Sequence, residues 1–155
     1  MMANVRVIGI RCDRPFSEIV KHFTDMGGDV ILMDPEYVCG RDHIISAVMH
    51  AERAFEQGTN RSKTLLTETL LYAAGERQIS KALAKMRPKD NVSEMAAAVF
   101  DVGDMRLGKI GAVSDDKILK CTKEKLKNLG ITASGSVPIE DLVLEMVATV
   151  DIQKQ

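Results

Sequence analysis

The order of hydrophobic segments predicts one α+β domain, a small mixed or antiparallel sheet of about three to four strands packed against a helical layer. Three observations predict it. The chain has 155 residues and a mass of 17.0 kDa, the size of a single domain. Short β-branched runs alternate with segments of helical period near both ends. Between them lies a block of three consecutive helical patterns with no strand among them, so the order reads β-α-β-α-α-α-β-(β)-α-α. Apolar residues make up 45% and charged residues 28%, a balance that excludes a disordered tail, a collagen-like repeat and a low-complexity linker.

Val5-Arg6-Val7-Ile8-Gly9-Ile10 is the first strand, short and β-branched. Pro15 suits a first helical turn, and Phe16, Ile19, Val20, Phe23 and Met26 recur at helical spacing until Gly27-Gly28. Asp29 to Asp34 encloses an apolar run closed by Pro35, which reads as a buried strand. A helix from about Asp42 to Gln57 carries Ile44, Val48, Ala51 and Phe55 on one face, and Gly58-Thr59-Asn60 breaks it. Ser62 is placed to cap the next helix, Lys63 to about Ala74, whose apolar residues surround most of its circumference and mark it as central. Gly75 ends that helix, and a third carries Ile79, Ala82, Leu83 and Met86 up to Pro88. Glu94 to Asp101 is helical by its alanines, yet the Gly103 turn and the flanking acids favour a buried strand. Lys109 to Val113 reads as a short fourth strand, and Asp115 to Asn128 as a lysine-rich amphipathic helix. The last helix opens at Ser136 and Pro138 and repeats Ile139, Leu142, Val143, Met146, Val147 and Val150.

No apolar run approaches the roughly 18 residues that cross a bilayer, and Met1 to Arg6 lacks the pattern of a signal peptide. Cys12, Cys39 and Cys121 are odd in number and widely spaced, the usage of reduced thiols in a cytoplasmic protein. The net charge of −1 is unevenly spread: Arg61 to Lys89 holds seven basic and two acidic residues, +5 against −6 for the remainder. Arg77, Lys81 and Lys85 fall at i, i+4 and i+8, one cationic stripe if the helix includes them all. Such a segment is either an anion-binding face or an ordinary solvated one.

Phosphate loops, dinucleotide fingerprints, HExxH and zinc-spaced Cys/His sets are absent from the sequence, so no cofactor and no metal is expected. Cys39 and His43, four apart, are the nearest approach to a nucleophile and base, without a third group to orient them. His43 and His50, seven apart, share a helix face and read as partly buried, hydrogen-bonded imidazoles rather than proton shuttles. The expectation is a binding or regulatory protein, with a small thiol enzyme as its rival.

Two stretches carry a resemblance. One is Val38-Cys39-Gly40-Arg41-Asp42-His43-Ile44-Ile45-Ser46-Ala47, continued by Ala51-Glu52-Arg53-Ala54-Phe55. The more specific is Asn60-Arg61-Ser62-Lys63-Thr64-Leu65 followed by Glu68 to Ala82, with Gly75-Glu76-Arg77-Gln78-Ile79 at its centre. Together they resemble the small, non-catalytic tRNA-binding subunit of the KEOPS complex, the PRPK-binding protein family. The order of elements and the apolar last helix extend the likeness over most of the chain, and the short length fits archaeal members. The resemblance implies an accessory subunit that binds tRNA, chiefly by its 3′ CCA end. It also implies docking on the kinase-like ATPase subunit, with the rest of KEOPS reached indirectly. The complex installs threonylcarbamoyladenosine beside the anticodon.

A single-stranded RNA end is bound by cations on its phosphates and by apolar or flat groups under its bases. Lys63, Arg77, Lys81 and Lys85, with Arg41 and Arg53 as additions, are the expected tRNA groove. The alternative is that Arg77 pairs with Glu68 or Glu76. Tyr72, beside Leu70 and Leu71, reads as core rather than a stacking platform. On the last helix Leu142, Met146, Val147 and Val150 are the expected ATPase-binding residues; the alternative is that they pack inside the domain. Lys117 to Lys127 forms a second basic stretch with no assigned role.

Overall fold

A computed structural model describes residues 4–154, so Met1 to Ala3 of the start discussed above lie outside the described residues. The elements run β1 (Val5–Arg11), α1 (Phe16–Asp25), β2 (Asp29–Met33), α2 (Arg41–Gln57), α3 (Leu65–Ala74) and α4 (Ile79–Met86). They continue with β3 (Glu94–Phe100), β4 (Val113–Ser114), α5 (Lys123–Asn128) and α6 (Ile139–Gln153). These four strands form one antiparallel sheet in the order β2-β3-β1-β4. The domain is α+β.

The stretch 94–101, ambiguous by propensity, is a strand because it occupies the middle of the sheet. Met95 to Phe100 are all buried. Covered on both faces, β3 reads as a continuous apolar run without alternation. Met95, Ala97 and Val99 face α1, where Ile19 and Phe23 complete one core. Ala96, Ala98 and Phe100 face the helical layer with Val7, Ile31 and Met33. There the alanines let Ile44, Val48, Leu71, Tyr72, Val147 and Val150 approach the sheet. Gly9 serves the same closeness on β1, since a Cβ there would lie 2.2 Å from the Asp115 carbonyl oxygen.

Helix boundaries follow local chemistry. The cap of α3 is Thr64, which accepts from Thr67 N–H, and not Ser62. Gly75 ends α3 at φ 68, a left-handed turn that favours glycine, and a Cβ there would also press on Met146. The fourth strand is displaced: residues 107–110 form a 3-10 turn, and pairing with β1 falls at Val113–Ser114. The expected helix from Asp115 to Asn128 is interrupted. Residues 116–119 form a 3-10 turn, and α5 begins only after Thr122, which accepts from Lys125 N–H. Lys125 itself turns inward and donates to the carbonyls of Val38 and Ile118 at 2.9 and 2.7 Å.

The reading of three reduced thiols is corrected as well. Cys39 and Cys121 form a disulfide across a separation of 82 residues, and only Cys12 is free, buried against the Ile110 carbonyl. Spacing concealed the pair because the chain between them returns to the α2 entry only through tertiary structure, where Gly40 N–H donates to Leu119 at 2.7 Å. No helix among the described residues is long and apolar enough to cross a membrane.

Candidate functional site

The cations of the middle segment divide by what the fold leaves them to bind. Arg77 precedes α4, whose N-cap is Gln78, so the expected three-cation stripe does not form. Lys85 is half-buried and occupied, donating to Glu76 Oε1 at 2.9 Å and to the Ala74 carbonyl at 3.1 Å. Arg77 and Lys81 are exposed and share a polar concavity of about 280 Å³ with Gly75, Glu76, Gln78 and Gln153. Among the described residues neither forms an ion pair. Lys63, just before α3, and Arg53, on α2, are exposed and unpaired in the same sense.

Arg41 belongs elsewhere. It opens α2, donates to the Val7 carbonyl at 3.0 Å and pairs with Asp116, and it lies about 18 Å along the helix from Arg53. Of the six expected tRNA-binding residues the fold therefore brings Arg77 and Lys81 together, sets Lys85 beside them but neutralised, and engages Arg41 in structure.

The alternative partners for Arg77 are both taken. Glu76 holds Lys85. Glu68 is fully buried and accepts from Arg61 N–H, Ser62 N–H, Ser62 Oγ and Lys154 Nζ. Burial alone would raise its carboxyl, but these hydrogen bonds outweigh it and hold Glu68 below the usual carboxylate range. Lys154 Nζ also donates to Tyr72 Oη at 2.9 Å and lies over the Tyr72 ring. Tyr72 Oη donates to Asp151, whose other oxygen meets His50 Nδ1 at 2.9 Å. Tyr72 is thus a core residue, and burial followed by the Asp151 contacts pushes its hydroxyl upward.

This network fastens the end of α6 to α2 and α3, and sequence reasoning missed it. A signal was present: Val143, Val147, Val150 and Lys154 follow spacings of four, three and four, which put the lysine on the core stripe. Val147 and Val150 are fully buried in the domain's own core, and so have no surface for a partner. Leu142 and Met146 are partly buried at the edge of a smaller cluster with Cys39, Leu126, Leu129 and Val143. Ile152, 69% exposed, is the apolar residue that α6 presents most openly.

The Cys39–His43 pair has no free thiol or ring nitrogen. Cys39 Sγ is in the disulfide, His43 Nδ1 accepts from Cys39 N–H at 3.0 Å, and Nε2–H donates to the Ala73 carbonyl at 2.8 Å. Burial pushes the imidazole down to about 4, against the Ala73 hydrogen bond. His43 therefore ties the disulfide loop to α3 as a neutral ring. His50 is half-buried and bound to Asp151, as a structural imidazole would be.

No match was found among curated proteins. The family model described as kinase binding protein CGI-121 matches residues 17–151, from the second residue of α1 to the last turns of α6. The chain belongs to the CGI-121 family of kinase binding proteins.

Proposed function

We propose that the chain is a non-catalytic accessory subunit of the KEOPS complex that docks on the kinase-like ATPase subunit and holds tRNA by its 3′ CCA end. In this role it supports threonylcarbamoyladenosine modification in the cytoplasm. Membership of a kinase binding family carries the ATPase half of the reading. The RNA half rests on one observation: Lys63, Arg77, Lys81 and Arg53 remain exposed without carboxylate partners among the described residues, while neighbouring cations are consumed by the fold. Free cations along a surface attract a phosphate backbone and release its counterions. Lys85 and Arg41 contribute to that field at a discount, because Glu76 and Asp116 neutralise them.

Reversing Lys63 and Lys81 to Glu is expected to weaken tRNA binding and reduce the salt slope by about 0.7–0.9 per lost phosphate contact. Unchanged affinity with an intact fold contradicts the assignment. For ATPase docking two patches of α6 are available: Leu142 with Met146, at the edge of the smaller cluster, and the exposed Ile152 nearer the helix end on another side. Ile152→Glu should weaken capture of the kinase-like subunit at an unchanged melting temperature if the second patch docks; Leu142→Glu tests the first but also perturbs the cluster around Leu126. A pure regulator of the ATPase, with incidental RNA contact, is the second reading. It is favoured by a family description that names a kinase and no RNA.

A further inference from the structure

The edge of the sheet at β2 is open. Gly9 and Val7 send their carbonyls away from β3, to Asp115 N–H and Arg41 Nε. Because successive residues of a strand point their backbone groups to opposite sides, Ile8 and its even-numbered neighbours bond β3. Through the register Ile8↔Ala97 and Ile31↔Ala98, it is then Asp29, Ile31 and Met33 that bond β3. The N–H and C=O groups of Val30 and Leu32 face outward. Asp34, next in that parity, confirms the direction, since its N–H leaves the sheet for the Met86 carbonyl at 2.9 Å.

Along these four groups, unpaired among the described residues, runs an apolar groove of about 350 Å³. Phe16 and Val20 of α1 form the wall on one sheet face, and Leu66, Leu70 and Leu83 that on the other. Val20 is 36% exposed, and the three leucines are only partly buried. Arg87 lines the end near Met33, unpaired with any described residue, while exposed Asp29 stands at the opposite end of β2.

From these features we infer that β2 accepts a fifth strand: an extended segment of a partner protein with a short run of consecutive apolar residues, acidic at its N-terminal end and basic at its C-terminal end. Backbone groups of Val30 and Leu32 demand a partner with its own N–H and C=O at strand spacing, the mode of strand addition to a sheet edge. Walls on both faces demand apolar side chains pointing both ways, as in a strand covered on both sides. The antiparallel direction continues the rest of the sheet and is the stronger pairing, and it sets the acidic N-terminal end beside Arg87 and the basic end beside Asp29. An unfilled edge of this kind is otherwise a site for unwanted pairing, and charge at both ends restricts what enters it.

The test uses the full chain and the peptide acetyl-Glu-Thr-Val-Ile-Val-Thr-Lys-amide, read by amide hydrogen exchange at single residues. Saturating peptide is expected to slow exchange at Val30 and Leu32 by at least about tenfold, with other amides of β2 little changed. N-methylation of the peptide at alternate residues on the side facing β2 should abolish binding. Leu32→Pro should do so too, because the N–H it removes is not in the ladder to β3. Arg87→Glu combined with Asp29→Lys, two changes at exposed positions, should reverse the preference towards a peptide with its charged ends exchanged, and Arg87→Glu alone should erase it. Equal binding of the N-methylated peptide overturns the inference, as does unchanged exchange at Val30 and Leu32 under about 1 mM peptide. Protection of those two amides by a cytidine-adenosine oligonucleotide instead of the peptide overturns it in favour of an RNA groove.

Discussion

Lys154 and Lys81 are both lysines near the end or start of a helix, and the fold uses them in opposite ways. Lys154 points into the core, with side-chain exposure of 6%, against a Glu68 with none, and it also reaches Tyr72. Lys81 stands with Arg77 at the rim of a polar concavity whose carboxylate, Glu76, is held by Lys85, and it forms no ion pair among the described residues. Charge counted along the chain treats the two alike. What separates them is whether another element brings an acceptor to the nitrogen. Lys154 holds the C-terminal helix in place, whereas Lys81 and Arg77 remain exposed to solvent.

The largest expected effect that sharpens this contrast is Lys154→Met. It leaves Glu68 buried without its counter-ion and should cost about 3–5 kcal/mol, read as a fall in the denaturant midpoint. Arg77→Met and Lys81→Met should change stability by less than about 0.5 kcal/mol, since they remove only solvated charge. Equal losses at both places would erase the distinction.

Next in size is the disulfide, which closes a separation of 82 residues. Its reduction, or the double substitution Cys39→Ser and Cys121→Ser, should lower stability by about 2–4 kcal/mol, chiefly through a less constrained unfolded chain. A melting temperature unchanged by reductant would contradict the bridge.

The pH profile comes third. As the pH falls from 6.5 the unfolded chain protonates its histidine, whereas native His43 resists until about 4. Stability present above pH 6.5 is therefore lost through that window, by about 3 kcal/mol in total. Glu68, held below the usual range, adds a loss of the same sign at lower pH. Urea midpoints measured from pH 7 to 4 should fall steadily, and His43→Asn should flatten the profile. The smallest effect on stability, and the largest on binding, belongs to reversing Lys63 and Lys81.

How much of this was legible depended on whether the cause was local. The β-branched run of β1, the period of α2 and α6, and the Gly75 stop of α3 are written in neighbouring residues, and the structure places them close to where they were read. The break between Leu119 and Lys123 was not, because it exists to let Cys121 meet Cys39 and Lys125 reach Val38, contacts with chain more than eighty residues away. For the same reason the basic segment looked uniform. Its sorting into occupied and free cations required knowing that Glu76 turns to Lys85, and that Glu68 waits for a lysine near the end of the chain. The apolar surplus of α6 is visible in the sequence, but Val147 and Val150 fill the domain's own core, and only Leu142 and Met146, partly buried, and Ile152, exposed, stand outside it.

The most direct test of the proposed role is binding of the purified chain to one tRNA and to the same tRNA without its 3′ CCA, across a salt series. The account predicts affinity that drops sharply when the single-stranded end is removed, with Arg77 and Lys81 needed for the difference. Equal, steeply salt-dependent binding to both would mean phosphate contact alone and would contradict it.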